Sequence, residues 1–245
     1  MKKQTGLTLI EIMIALLLSL IVIGGAISIY ISTIKGSTDT MRSNRLNYDL
    51  DSTMQLVIND IRRAGYWGGA IAGANSQNNP FMLAATNVQI PSSNCIVYTY
   101  DADADSNVGA NEYYGFRLTN NGVIEIKLTG TTTANCTEGT WEPITISEGG
   151  DQIEITRLEF SFDPITLPPL IGSSKCLNTA ILIDNTATPP NPLESLCTGI
   201  PTGNRAIETR QVNIALEAEM VNDDTVTKSI SNSVRIRNDR IFTAP

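Results

Sequence analysis

The chain has 245 residues, 17 Lys and Arg against 25 Asp and Glu, and a formal net charge of −8. That length suits one extended element plus one head of ordinary size, and the acidic balance, with no basic run beyond Lys2-Lys3, argues against direct binding to nucleic acid. Histidine is absent, which removes Ser-His-Asp and Cys-His pairs, His-bearing zinc sites and the commonest general base, so no enzyme is expected.

The chain opens Met1-Lys2-Lys3-Gln4-Thr5-Gly6, continues Leu7-Thr8-Leu9-Ile10-Glu11, and stays apolar to about Ile31. A short basic leader before an apolar stretch has the outline of a secretory signal. However, no A-x-A site follows the apolar core, Gly6 lies ahead of it, and Glu11 stands inside it. A carboxylate in hydrocarbon is costly, which makes Glu11 a functional candidate. A cut between Gly6 and Leu7 would create an α-amino group near it. In a bundle of such helices, the amine of one subunit and Glu11 of its neighbour would compensate each other. Residues 7–31 are long enough to span a bilayer as a helix, and Lys2 and Lys3 hold the leader in the cytoplasm, so the rest faces outward.

Gly6-Leu7-Thr8-Leu9-Ile10-Glu11 resembles the G-F-T-L-I-E signature of type IV prepilins and type II secretion pseudopilins, with Leu7 where Phe is usual. The resemblance implies cleavage after Gly6 by a prepilin peptidase, N-methylation of Leu7, and a role for Glu11 in filament assembly. It divides the chain into a leader (1–6), a membrane and filament-core helix (7–31), an amphipathic half of the same helix (32–65) and an extracytoplasmic head (66–245).

Beyond Ile31, the residues Leu46, Leu50, Met54, Val57 and Ile61 draw one apolar stripe, and no proline occurs before Pro80. The pattern predicts a helix from about Leu7 to Ala64, on the order of 85 Å long. Gly24-Gly25 is either a soft point or a close-packing site between helices. Gly65 supplies a left-handed stop. The stretch Asp60-Ile61-Arg62-Arg63-Ala64-Gly65-Tyr66-Trp67-Gly68 resembles the segment that follows the helix in PilW-like minor pilins, and the tail Ser233-Val234-Arg235-Ile236-Arg237-Asn238 does so more loosely. The resemblance implies a minor pilin that takes part in initiating assembly at the pilus tip, supporting motility, adhesion or DNA uptake. Its partners would be other minor pilins, the major pilin, the inner membrane and its assembly platform. It would wait as a single-pass inner-membrane protein with a periplasmic head before reaching the cell surface. A J-type minor pseudopilin of type II secretion carries the same leader and is the alternative.

Residues 70–94 read as a loop. Cys95–Tyr100 reads as a strand, and Tyr113–Thr119 with Val123–Thr129 as a hairpin around Asn120-Asn121-Gly122. In 151–163 the apolar phase changes between Ile153/Ile155 and Leu158/Phe160/Phe162, which predicts a bulge near Arg157. Residues 164–204 read as a long pinned loop with a short strand at Ala180–Ile183. A last hairpin runs from Val212 to Met220 and, after a turn at Asp223-Asp224, from Val226 to Ile236. A long helix followed by antiparallel strands is an α+β layout, the type IV pilin-like fold of a helix packed on an antiparallel sheet.

Cys95, Cys136, Cys176 and Cys197 form no CxxC. An even count in an exported chain reads as two disulfides with three possible connectivities. Cys95–Cys136 and Cys176–Cys197 are favoured because they close the shorter loops. From Asp101, oxygen side chains stand at Asp101, Asp103, Asp105 and Asn107, with Glu112 at the twelfth position. That spacing suits calcium, although Ser106 takes the place of the turn glycine and the flanks read as strands. No cofactor is required by this reading.

Overall fold

The computed structural model describes residues 8–68, 70, 78–145, 153–166, 169–170, 174–178, 194–195, 200–221 and 223–243. The chain divides into two compact units, Met1–Arg45 and Leu46–Pro245. One helix, α1 (Leu9–Ile61), contributes to both. In the first unit every described residue from Thr8 to Met41 is exposed, although most to Ile34 are apolar. A helix that is hydrophobic all round belongs in lipid or among other helices. The helix continues without a break through Gly24, Gly25 and Gly36, and a methyl group at any of the three would touch nothing.

In the second unit, burial on the helix begins at Leu46, within the 32–65 stretch that the sequence marks as amphipathic. Leu46, Leu50, Met54, Val57, Ile58 and Ile61 are buried at helical spacing, and they join one core with Ile96, Tyr98, Phe116, Leu158, Phe160, Ile214 and Leu216. A single stripe meets a sheet face, as an amphipathic helix requires.

The first sheet is antiparallel, in the order β1 (Gln89–Ser92), β2 (Cys95–Thr99), β3 (Tyr113–Leu118), β4 (Ile124–Lys127) and β5 (Trp141–Pro143). All five residues of β2 are buried. The β3–β4 hairpin closes with Leu118 opposite Ile124, and Gly122 takes φ +68° in the turn. Strand β1 corrects the reading of residues 70–94 as a loop, and β5 falls where the sequence reading assigns no element. They are short edge strands, and each carries a proline, which edges tolerate.

Strand β6 (Ile153–Ser161) precedes the short pair β7 (Ile165–Thr166) and β8 (Pro169–Leu170), then β9 (Lys175–Asn178), β10 (Glu194–Ser195), β11 (Arg205–Thr209), β12 (Gln211–Met220), β13 (Asp223–Arg235) and β14 (Arg240–Thr243). Three of these form a sheet in the order β13-β12-β6, and four form another in the order β10-β9-β11-β14. In β6, Arg157 faces Glu217 while Ile155 faces the next residue, Ala218. Thr156 is therefore the extra residue, and the bulge turns Ile155, Leu158 and Phe160 all to the core.

Two further corrections follow. Residues 164–204 contain strands β7 to β10 among the described residues, so this stretch is not one loop; the strand expected at Ala180–Ile183 lies outside the described residues. The final hairpin pairs Met220 with Asp223, so the reversal comes before Asp223-Asp224, and both aspartates begin β13.

Candidate functional site

At the start of α1, Gly6 and Leu7 lie outside the described residues. Thr8 and Glu11 are described. The Glu11 carboxylate accepts the Thr8 amide at 2.9 Å and the Thr8 hydroxyl at 2.8 Å, and the Glu11 amide reaches back to the Thr8 hydroxyl at 3.4 Å. This is a capping box, which supplies partners to amides that the first helical turn cannot satisfy. Its signature, a Thr three residues before a Glu, stands in the sequence, where an intramembrane carboxylate alone does not point to it. The cap aims the carboxylate at the residue that follows Leu7.

The end of α1 is held on three sides. Asp60 accepts the hydroxyls of Tyr98 at 2.5 Å and Tyr100 at 3.1 Å. Burial and then the Asp60 charge push both phenols well above their ordinary range. Tyr100 stacks on Tyr114 with ring centroids 3.9 Å apart, and the Arg63 guanidinium lies 4.0 Å above the Tyr100 ring. Beyond the helix, the Gly65 amide donates to the Thr99 carbonyl and the Asp101 amide to the Tyr66 carbonyl, so the chain runs on beside β2. Gly65 holds φ +71°.

The first carbonyls beyond α1 meet residues from a distant part of the chain. The Arg237 amide donates to the Arg62 carbonyl at 3.3 Å, and the Asn238 side chain donates to Ala64 at 3.1 Å. The Asn238 carbonyl in turn accepts from Arg210, whose guanidinium also bonds Asn87. Burial lowers the Arg210 pKa to about 10. The two stretches singled out in the sequence, 60–68 and 233–238, therefore touch.

Cys95 and Cys136 form a disulfide. Cys176 is also disulfide-bonded, while Cys197 lies outside the described residues. The disulfide ties the 128–140 loop to the first sheet. Two cations hold the same loop: Arg117 bonds Glu125 and the Cys136 carbonyl, and the fully buried Lys127 pairs with Glu138 at 3.1 Å.

In the acidic loop, Asp101, Asp103 and Asp105 each bring a carboxylate oxygen within 4.8 Å of the others, a donor set of the kind that hard cations take. Glu112 does not belong to that group. It is buried, and its two oxygens accept the amides of Ala102 and Gly109, both at 2.8 Å. Asn107 turns its side-chain amide to the Asp105 carbonyl. The structure thus brings together three of the five residues expected from spacing, and Glu112 closes the loop internally.

Residues 39–236 match the family described as prepilin peptidase-dependent protein B. The chain belongs to this family. Residues 1–27 match the prokaryotic N-terminal methylation motif. No curated protein and no solved structure matches the chain. The family match runs from within α1 to the end of β13, short of β14, and covers the Asp60–Gly68 stop. The methylation motif covers the leader, Glu11 and most of the exposed apolar helix. The chain is thus a pilin-like protein that depends on prepilin peptidase, and both descriptions are of structural proteins, not enzymes. An apolar N-terminal helix with this motif suits a membrane-anchored pilin.

Proposed function

We propose that this chain is a minor pilin of a type IV pilus, similar to PilW-like subunits, that helps to initiate pilus assembly and stays at the tip. The observation that carries the reading is the joint match of a methylation motif on the first 27 residues and a peptidase-dependent pilin family on the head. The peptidase cuts between Gly6 and Leu7, and Leu7 is methylated. The helix waits in the inner membrane with the head in the periplasm, its disulfides formed in that oxidising space. Glu11 then meets the amine of an adjacent subunit as helices bundle, with other minor pilins and the major pilin as partners.

The test is a clean deletion with a complemented control, in which sheared surface pili and secreted enzymes are quantified side by side. Loss of pili with normal secretion is the expected result. Loss of secretion with normal pili would assign the chain to a type II secretion pseudopilus.

A further inference from the structure

A cavity of about 380 Å³ in the second unit is lined by Arg62, Arg235 and Arg237. Arg62 follows the last residue of α1, Arg235 ends β13, and Arg237 lies two residues on. Their backbones are fixed to one another. The Arg237 amide bonds the Arg62 carbonyl, and the Ile236 amide bonds Arg210. Val234 and Ile236 are buried in the core, so Arg235 and Arg237 take the opposite phase, and all three arginines are exposed. Among the described residues a single carboxylate answers them: Asp239, 3.4 Å from Arg235. Among the described residues Arg62 and Arg237 make no ion pair.

Three guanidinium groups around one cavity repel each other, and this occurs in a chain of net charge −8 that has carboxylates in excess. Elsewhere arginines of the same chain stand in ion pairs: Arg117 with Glu125, Arg157 with Glu159 and Glu217, and Arg240 with Glu208. Three exposed arginines around one cavity with one carboxylate beside them form a local excess of positive charge, of the kind that functional sites impose. The guanidinium fork matches a carboxylate in two parallel hydrogen bonds.

We propose that this cavity docks a carboxylate-bearing loop of another filament subunit, an inference that rests on the pilin reading above. Nucleic acid and anionic lipid are less suited. Both are extended anionic surfaces, with duplex DNA carrying a charge every ~1.7 Å, and they would meet the whole acidic head along with the cavity. A protein loop brings its carboxylates to the cavity alone.

The test is a strain carrying Arg62→Glu and Arg237→Glu in the full chain, compared with the deletion strain and with Arg62→Gln plus Arg237→Gln. Both side chains are exposed and the contacts at this point are made by backbone, so mature protein at the wild-type level is expected. Assembled filaments should fall at least about tenfold in the Glu variant and less in the Gln variant. A complete set of single Asp→Arg and Glu→Arg changes in the other filament subunits should contain one that restores assembly. Filaments at the wild-type level in the Glu variant, or failure of every swap to restore them, would overturn the docking proposal while leaving the pilin reading intact. Normal filaments in the deletion strain would overturn the pilin reading itself. Restoration by a change in membrane headgroup composition alone would assign the cavity to lipid and overturn the proposal.

Discussion

The Asp60 carboxylate accepts the Tyr98 hydroxyl at 2.5 Å, which ties the last turn of the helix to a fully buried strand. Tyr98 is completely buried in the intact chain. Removing one partner of a buried hydrogen bond leaves the other with its full desolvation penalty. Asp60→Ala should therefore lower the stability of the second unit by about 2–3 kcal/mol, because it removes the acceptor that the Tyr98 and Tyr100 hydroxyls share, while Tyr98→Phe should cost about 1 kcal/mol. Urea unfolding of the full chain in detergent, followed by tryptophan fluorescence, measures both. Equal losses in the two variants would contradict the shared-acceptor arrangement.

The stability should fall at both ends of the pH range, for different reasons. Burial pushes the Glu138 carboxyl up, but the hydrogen bonds from Lys127 and Thr131 outweigh it, and its pKa lies below the ordinary 4.5. A depressed carboxyl stabilises the fold above its unfolded pKa and loses that contribution as pH falls through the folded value. For Tyr98 the sign reverses. Its pKa is raised above the ordinary 10.0, so its contribution is complete below pH 10 and is lost as pH rises beyond it. Thermal melts from pH 7 down to 2 should show a decline below about 4.5 that Glu138→Gln reduces. Absorbance titration above pH 10 should show Tyr98 ionising only when the head unfolds.

Much of this helix–sheet contact is legible in the sequence. The stripe from Leu46 to Ile61 names the buried face because a helix brings every third or fourth residue to the same side. The phase change between Ile155 and Leu158 names the bulge because a strand alternates strictly. What escapes is of two kinds. Short edge strands such as Gln89–Ser92 and Trp141–Pro143 have no length in which to show alternation, and each carries a proline, which argues against a strand. Contacts across the chain, such as Asn238 on the carbonyl of Ala64, leave no local pattern at all. In the acidic loop the spacing of Asp101 to Glu112 matches a ligand template, and Asp101, Asp103 and Asp105 do gather, while the buried Glu112 bonds two backbone amides, which spacing alone does not show.

Gly65 and Gly24 should respond in opposite ways to alanine. Gly65 sits at φ +71°, where an L side chain is strained, and an added methyl would lie 3.1 Å from Met82 Cγ and closer still to its Cε. Gly65→Ala should cost about 1–2 kcal/mol in the same unfolding assay. Gly24 is mid-helix with nothing within 4 Å of an added methyl, so Gly24→Ala should leave the head unchanged. If Gly24→Ala nevertheless lowers filament yield at normal protein level, its open flank is a close-packing site between helices. Unchanged yield would exclude that role.

The Cys95–Cys136 disulfide closes a loop with a sequence separation of 41. On chain-entropy grounds a loop of that size corresponds to roughly 4 kcal/mol. The loop is also held by Arg117 and Lys127, so its native geometry should survive reduction, with the loss falling on the unfolded-state constraint. Cys95→Ser with Cys136→Ser should therefore lower the unfolding midpoint without changing the circular dichroism of the folded chain. An altered folded spectrum would mean that the bridge shapes the loop instead of restraining the unfolded chain.

Glu11 has two duties that one substitution can separate. It caps its own helix through Thr8, and in the proposed filament it answers the amine of a neighbour. A glutamine retains a side-chain oxygen for the cap but has no charge, and capping boxes accept either residue. Glu11→Gln should therefore leave the helix and the peptidase cut unchanged, with mature-length product at the wild-type level, while incorporation into sheared filaments falls at least about tenfold, a difference of ~1.4 kcal/mol. Glu11→Ala loses both duties and should incorporate no better. Should the Gln variant assemble normally while the Ala variant fails, the carboxylate matters for its hydrogen bonds to Thr8, and charge pairing between subunits is not what drives the helix into the filament.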